Sequence, residues 1–74
     1  MYRKEIDKNT KEKFVIEEKE FKGNKFVDVR VYYKDEFDNL NPTKKGIALS
    51  YPVIPKIIES LLEAVEDSGM ENVI

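Results

Sequence analysis

The chain contains no cysteine and no histidine among its 74 residues. Without cysteine, no disulfide can staple the fold and no thiolate can hold a metal ion. The commonest general base and the strongest side-chain nucleophile are missing together. Ser50, Ser60 and Ser68 have no base to activate them. Carboxylates alone would need a deep cleft, which so short a chain does not build. The composition argues against an enzyme and implies no cofactor and no metal. Long apolar runs are missing too. Nothing approaches the roughly 18 residues of a membrane helix, so no membrane partner is expected. Met1–Lys13 is too charged for the apolar region of an export signal. The expected location is the cytoplasm, or the nucleus in a eukaryote. No internal repeat or low-complexity segment is present.

A chain of this length is one domain at most and buries a small fraction of its surface. Dimerisation is the common remedy left. The net charge of −2 does not advertise a polyanionic partner. Its distribution says more. Residues 1–46 carry twelve Lys/Arg against ten Asp/Glu, and residues 47–74 carry one against five. The basic groups belong to the strand-rich part and the acidic excess to the end.

Two apolar-rich runs, Lys13–Phe21 and Lys25–Lys34, flank Gly23-Asn24. This pair predicts a two-residue hairpin turn, whose central positions need positive φ. The turn would set Lys22 opposite Lys25 and Phe21 opposite Phe26. Lys19 would face Asp28, Glu17 would face Arg30, and Val15 would face Tyr32. Val27, Val29 and Val31 alternate with Asp28 and Arg30, the signature of a half-buried strand. The face with Phe14, Ile16, Val31 and Tyr33 reads as core. The other reads as solvent-facing, with opposite-charge pairs worth roughly 0.2–1 kcal/mol each.

Residues 1–12 read as a flexible N-terminal arm, and residues 13–74 as the folded domain, with strands over about 13–50. Asp35–Asn41 is an acidic, turn-rich loop. It lacks the glycine and terminal glutamate of a calcium-binding loop. A short strand is expected at Asn39–Pro42 and a last one at Lys44–Ser50. Thr43-Lys44-Lys45-Gly46 lacks the earlier glycine and following Ser/Thr of a nucleotide phosphate loop. Two lysines beside a glycine can still hold a backbone phosphate. The period then changes. Ile54, Ile57, Ile58, Leu61, Leu62 and Val65 form one stripe of an amphipathic helix over about 52–68, ended by Ser68-Gly69. The stripe exceeds what one small sheet covers, which predicts self-association through the helix. Met70, Val73 and Ile74 add an apolar tail.

The chemistry therefore lies on the open hairpin face. Lys19, Lys22, Lys25 and Arg30 surround Phe21 and Phe26, with Tyr32 on the same face and Lys44 and Lys45 on the last strand. Bases stack on aromatic rings while cations track phosphates. Duplex DNA hides its base faces, so the set favours single strands. The bland alternative pairs Phe21 with Phe26 across the hairpin end.

Phe21-Lys22-Gly23, then Val27-Asp28-Val29-Arg30 with Tyr32-Tyr33, then Pro42-Thr43-Lys44-Lys45-Gly46-Ile47-Ala48-Leu49 resembles the positive cofactor four transcriptional-coactivator family. The resemblance spans about Phe14–Val65. It implies an α+β fold, a curved four-stranded antiparallel sheet followed by one C-terminal amphipathic helix. It implies a homodimer made largely through that helix, with single-stranded DNA held across both sheets. Phe21 and Tyr33 would stack on bases, and Arg30, Lys44 and Lys45 would contact phosphate or base. Tyr33 stands where eukaryotic members have tryptophan, and Asn24 replaces a frequent basic residue. The acidic regulatory tail of eukaryotic members is missing, as in a compact bacterial or phage version. The hairpin register puts Tyr32, not Tyr33, on the Phe21 face, so both tyrosines stay open as the base platform.

The expected function is sequence-tolerant binding of single-stranded DNA in transcription, replication, recombination or repair, with that machinery as a further partner. The alternative is a protein–protein module that uses the aromatic face without nucleic acid.

Overall fold

A computed structural model describes residues 1–69. It shows four antiparallel strands in sequential order followed by one helix. The strands are β1 (Arg3–Asp7), β2 (Glu12–Phe21), β3 (Asn24–Lys34) and β4 (Leu40–Ser50). A single 3-10 turn, Tyr51–Val53, leads into α1 (Ile54–Ser68). Pro55 sits in the first helical turn, where a missing N–H costs little. Gly69 closes α1 in the left-handed conformation, at φ 73°, and donates its N–H to the Glu66 carbonyl. The apolar tail expected at Met70, Val73 and Ile74 lies outside the described residues.

The β2–β3 turn differs from expectation. Lys22 and Gly23 hold positive φ, 52° and 82°, so they form the two central positions. Glycine takes the second position of such a turn, the commoner arrangement. The register moves by two residues. Phe21 pairs with Asn24, Lys19 with Phe26, Glu17 with Asp28, Val15 with Arg30 and Lys13 with Tyr32. Phe14 and Ile16 now align with Val31 and Val29. An even shift keeps every side chain on its expected face.

The segment expected as a flexible arm contributes β1, at the sheet edge. Arg3 pairs with Glu17, Glu5 with Val15 and Asp7 with Lys13. Ion pairs fasten it: Arg3 to Glu17 at 3.2 Å, and Lys13 to Glu5 and Asp7 at 3.4 and 3.2 Å. These partners lie far along the chain, so the segment by itself looks aperiodic. The two short strands expected at Asn39–Pro42 and Lys44–Ser50 are one strand, β4, interrupted by a bulge. Tyr32 pairs with Pro42 and Arg30 with Gly46, so four steps on β4 answer two on β3.

Little of this is buried. Among the described residues the apolar core is Val15 and Val31, and Asp28 is the buried polar residue. Val15 lies on the face expected to be open, in register between Glu5 and Arg30. Long charged side chains cover apolar surface with their methylene stems. The opposite face carries Ile16, Val27, Val29 and Leu49, with α1 standing over it across a groove of about 590 Å³.

Gly46 marks a close approach of β4 to β3. A Cβ there would lie 2.7 Å from the Val29 carbonyl oxygen and 2.9 Å from the Arg30 Cζ. Gly46→Ala should therefore destabilise the fold by about 1–3 kcal/mol, the usual cost of overpacking. Chemical denaturation reads this as a lower midpoint with an unchanged slope.

Candidate nucleic-acid interface

The sheet sorts the sequence-derived residues into two groups. One group is free. Phe21 ends β2 and is 65% exposed. The turn swings Lys22 back so that its Nζ sits 5.3 Å from the Phe21 ring centroid. Lys25, the second residue of β3, pairs with Glu20 on the face opposite Phe21 and is exposed. Lys44 and Lys45 stand exposed on the β4 bulge. Among the described residues none of these four lysines makes an ion pair.

The other group is occupied. Lys19 lies 3.6 Å from Asp28 and 3.9 Å from Glu17. Arg30 was expected opposite Glu17, but its partner is Asp28. Nε and Nη2 each donate to that carboxylate at 3.0 Å, and Nη1 donates to the Thr43 carbonyl at 3.0 Å. Glu17 pairs with Arg3 instead. Glu17 and Asp28 thus sit directly opposite each other, and Lys19, Arg3 and Arg30 neutralise the two carboxylates. Phe26 is half-buried and faces Lys19 across the hairpin. It is diagonal to Phe21, so the expected direct pairing of the two rings does not occur.

The two tyrosines separate. Tyr32 is half-buried on the Phe21 face, with the Arg3 guanidinium 5.6 Å from its ring centroid. Tyr33 projects from the opposite face and is 44% exposed. The β4 bulge does not bring it round, because the shift lies in β4 and leaves the β2–β3 pairing regular.

The hydrogen bonds from Arg30 hold the Asp28 carboxyl below its usual range, against the opposing effect of burial. Arg30 is raised in return. In the β3–β4 loop, Asp35 accepts from the Phe37 and Asn39 N–H groups and from the Asn41 amide, and its pKa is lowered. Among the described residues no cluster of three or more potential metal ligands occurs. No described helix is long and apolar enough to cross a membrane.

The family model described as Transcriptional Coactivator p15 (PC4) matches residues 8–60. The chain belongs to this family. A PC4 homolog from Burkholderia pseudomallei, in its orthorhombic crystal form, superposes with a TM-score of 0.79 at 26% identity over 82% of each chain. A bacteriophage T5 homolog of the eukaryotic coactivator PC4, implicated in recombination-dependent DNA replication, shares the fold. Its TM-score is 0.73 at 20% identity, covering 99% of this chain and 89% of that one. Comparison with curated proteins finds no match. The PC4 assignment agrees with the strand motifs and with the bacterial and phage character of these neighbours. Sequence reasoning missed Arg3, Asp28 and Thr43 as organisers of the face. The alternation Val27-Asp28-Val29-Arg30 was the available signal, because two opposite charges two residues apart share one face of a strand.

Asp28 gives the face an acid limit. Its folded pKa is depressed, so its contribution is full above the ordinary aspartate value, about 3.9. It is lost as pH falls through the folded value. Asp28→Asn should lower stability at pH 7 by about 1.5–3 kcal/mol, the worth of hydrogen bonds to a charged group. It should also flatten the loss of stability below about pH 4. Urea titrations at pH 7 and through the acid range would show both changes.

Proposed function

We propose that the chain is a homodimeric, sequence-tolerant single-stranded DNA-binding protein. It would serve transcription, replication, recombination or repair as a bacterial- or phage-type member of its family, in the cytoplasm. The observation that carries the reading is the exposed Phe21 ring with the Lys22 ammonium over it, a pair not tied to any carboxylate among the described residues. Phe21 offers a base a stacking surface. Lys22, Lys25, Lys44 and Lys45 offer the phosphates four cations that need not first break an ion pair. Of the two tyrosines, Tyr33 supplies the second platform, because its ring is more exposed and Tyr32 already lies against Arg3. Nine steps of β3 separate Tyr33 from the turn, about 30 Å at the usual strand rise. The two rings are thus distant stations on opposite faces, and the strand must cross a sheet edge between them.

The homodimer rests on the uncovered helix stripe. Ile58, Leu61, Leu62 and Val65 are 52%, 62%, 58% and 40% exposed. The groove beneath α1 is lined almost wholly by apolar side chains. A second copy offers the same stripe, so the contact is self-complementary.

Titrating a labelled oligonucleotide at two salt concentrations tests the DNA reading. Affinity should fall with salt at a slope of about −0.7 per phosphate neutralised. Matched duplex should bind more weakly than single strand. Phe21→Ala should cost roughly 1–3 kcal/mol of binding with little change in that slope. No binding at low salt would leave the aromatic face to a protein partner. Leu61→Glu would place a charge in the apolar seam, and sedimentation equilibrium should then return a monomer or an unfolded chain.

A further inference from the structure

Arg30 commits one N–H from each of its three guanidinium nitrogens inside its own subunit. Two N–H groups go to Asp28, which is buried, and a third goes to the Thr43 carbonyl on the neighbouring strand. Thr43 is the first residue of the irregular stretch of β4. Its hydroxyl donates to the Val31 carbonyl at 2.7 Å and accepts the N–H of Lys45 at 3.2 Å. The bulge is thus held by side-chain bonds where regular ladder pairing lapses. Gly46 closes it, and any Cβ there would collide with the Arg30 Cζ. What the bulge presents is Lys44 and Lys45, both exposed.

We propose that Asp28 and Arg30 are positioning residues that fix the β4 bulge, and through it aim Lys44 and Lys45 at the backbone phosphates of a bound single strand. The proposal rests on the DNA-binding reading above. Asp28 fixes the guanidinium plane by two parallel bonds, and the third N–H then reaches the Thr43 carbonyl. A planar fork can serve a carboxylate and a carbonyl at once, whereas an ammonium is a single point of charge. Lysine at position 30 would keep the charge and release the bulge. Arg30 therefore acts on DNA chiefly through Lys44 and Lys45, because its fork is already committed to Asp28 and Thr43.

The test compares Arg30→Lys, Asp28→Asn, the double variant Lys44→Ala/Lys45→Ala, and the triple variant that adds Arg30→Lys. Amide hydrogen exchange of the free dimer comes first. The Lys45 N–H should exchange faster in Arg30→Lys while the β2–β3 ladder keeps its protection. Fluorescence anisotropy with labelled oligothymidine at two salt concentrations comes second. Arg30→Lys should weaken binding roughly threefold to tenfold, as coupled groups do. Its salt slope should fall towards that of the double variant, which should lose about 1.4 for two phosphates. In the triple variant, Arg30→Lys should add no further loss. Asp28→Asn should behave as Arg30→Lys does, and if it unfolds, Arg30→Lys alone decides. Losses that multiply in the triple variant, or full affinity in Arg30→Lys, would overturn the proposal. Unchanged Lys45 exchange would overturn it even if DNA binding proved absent. A parent chain that binds no oligonucleotide would instead sink the functional reading, so the two failures are separable.

Discussion

The buried carboxylate of Asp28 is the constraint around which the sheet is arranged. A carboxylate out of water must be neutralised and hydrogen-bonded, and three neighbours do this work for Asp28 and the adjacent Glu17. Arg30 takes both oxygens of Asp28, Lys19 bridges the two acids, and Arg3 holds Glu17 from β1. From Arg3 the lattice fastens the edge strand, and from Arg30 it fastens β4. One face of the sheet is therefore organised by charge, which leaves the other to be apolar. That division explains how a chain with two buried apolar side chains among its described residues still specifies a four-stranded register.

Much of the architecture was legible because it is local. The alternation Val27–Val31, the positive-φ demand near Gly23 and the helical stripe from Ile54 to Val65 each declare themselves within a few residues. The face assignments survived an error of register, since the error was even and the period of a strand is two. What could not be read is non-local. β1 is a charged pentapeptide, RKEID, whose only reason to be a strand lies on β2. The β4 bulge depends on a guanidinium thirteen residues away. A sequence window sees Pro42 as a strand end, and so divides one bent strand into two.

The candidate site was legible by residue type, and less so by which of its charges are already paired. The set of aromatic and basic residues named from the sequence covers the exposed ones, Phe21, Lys22, Lys25, Lys44 and Lys45. It does not distinguish them from Lys19 and Arg30, whose charge is already spent on carboxylates. Composition counts cations, whereas binding depends on cations free of partners. The tyrosines make the same point. Neighbours in sequence, they lie on opposite faces, one beneath an arginine and one open.

The thin interior has a consequence for how the protein must behave as a population. Leu61 and Leu62 are more than half exposed, and a second chain, as proposed above, would supply apolar burial that this one lacks. If that chain is another copy, folding and association become one equilibrium, and the folded fraction depends on how much protein is present. Dilution would then act as a denaturant. The working abundance of such a protein would set its stability as well as its occupancy on any partner. Below a threshold concentration it would be cleared by proteolysis as readily as a destabilised mutant.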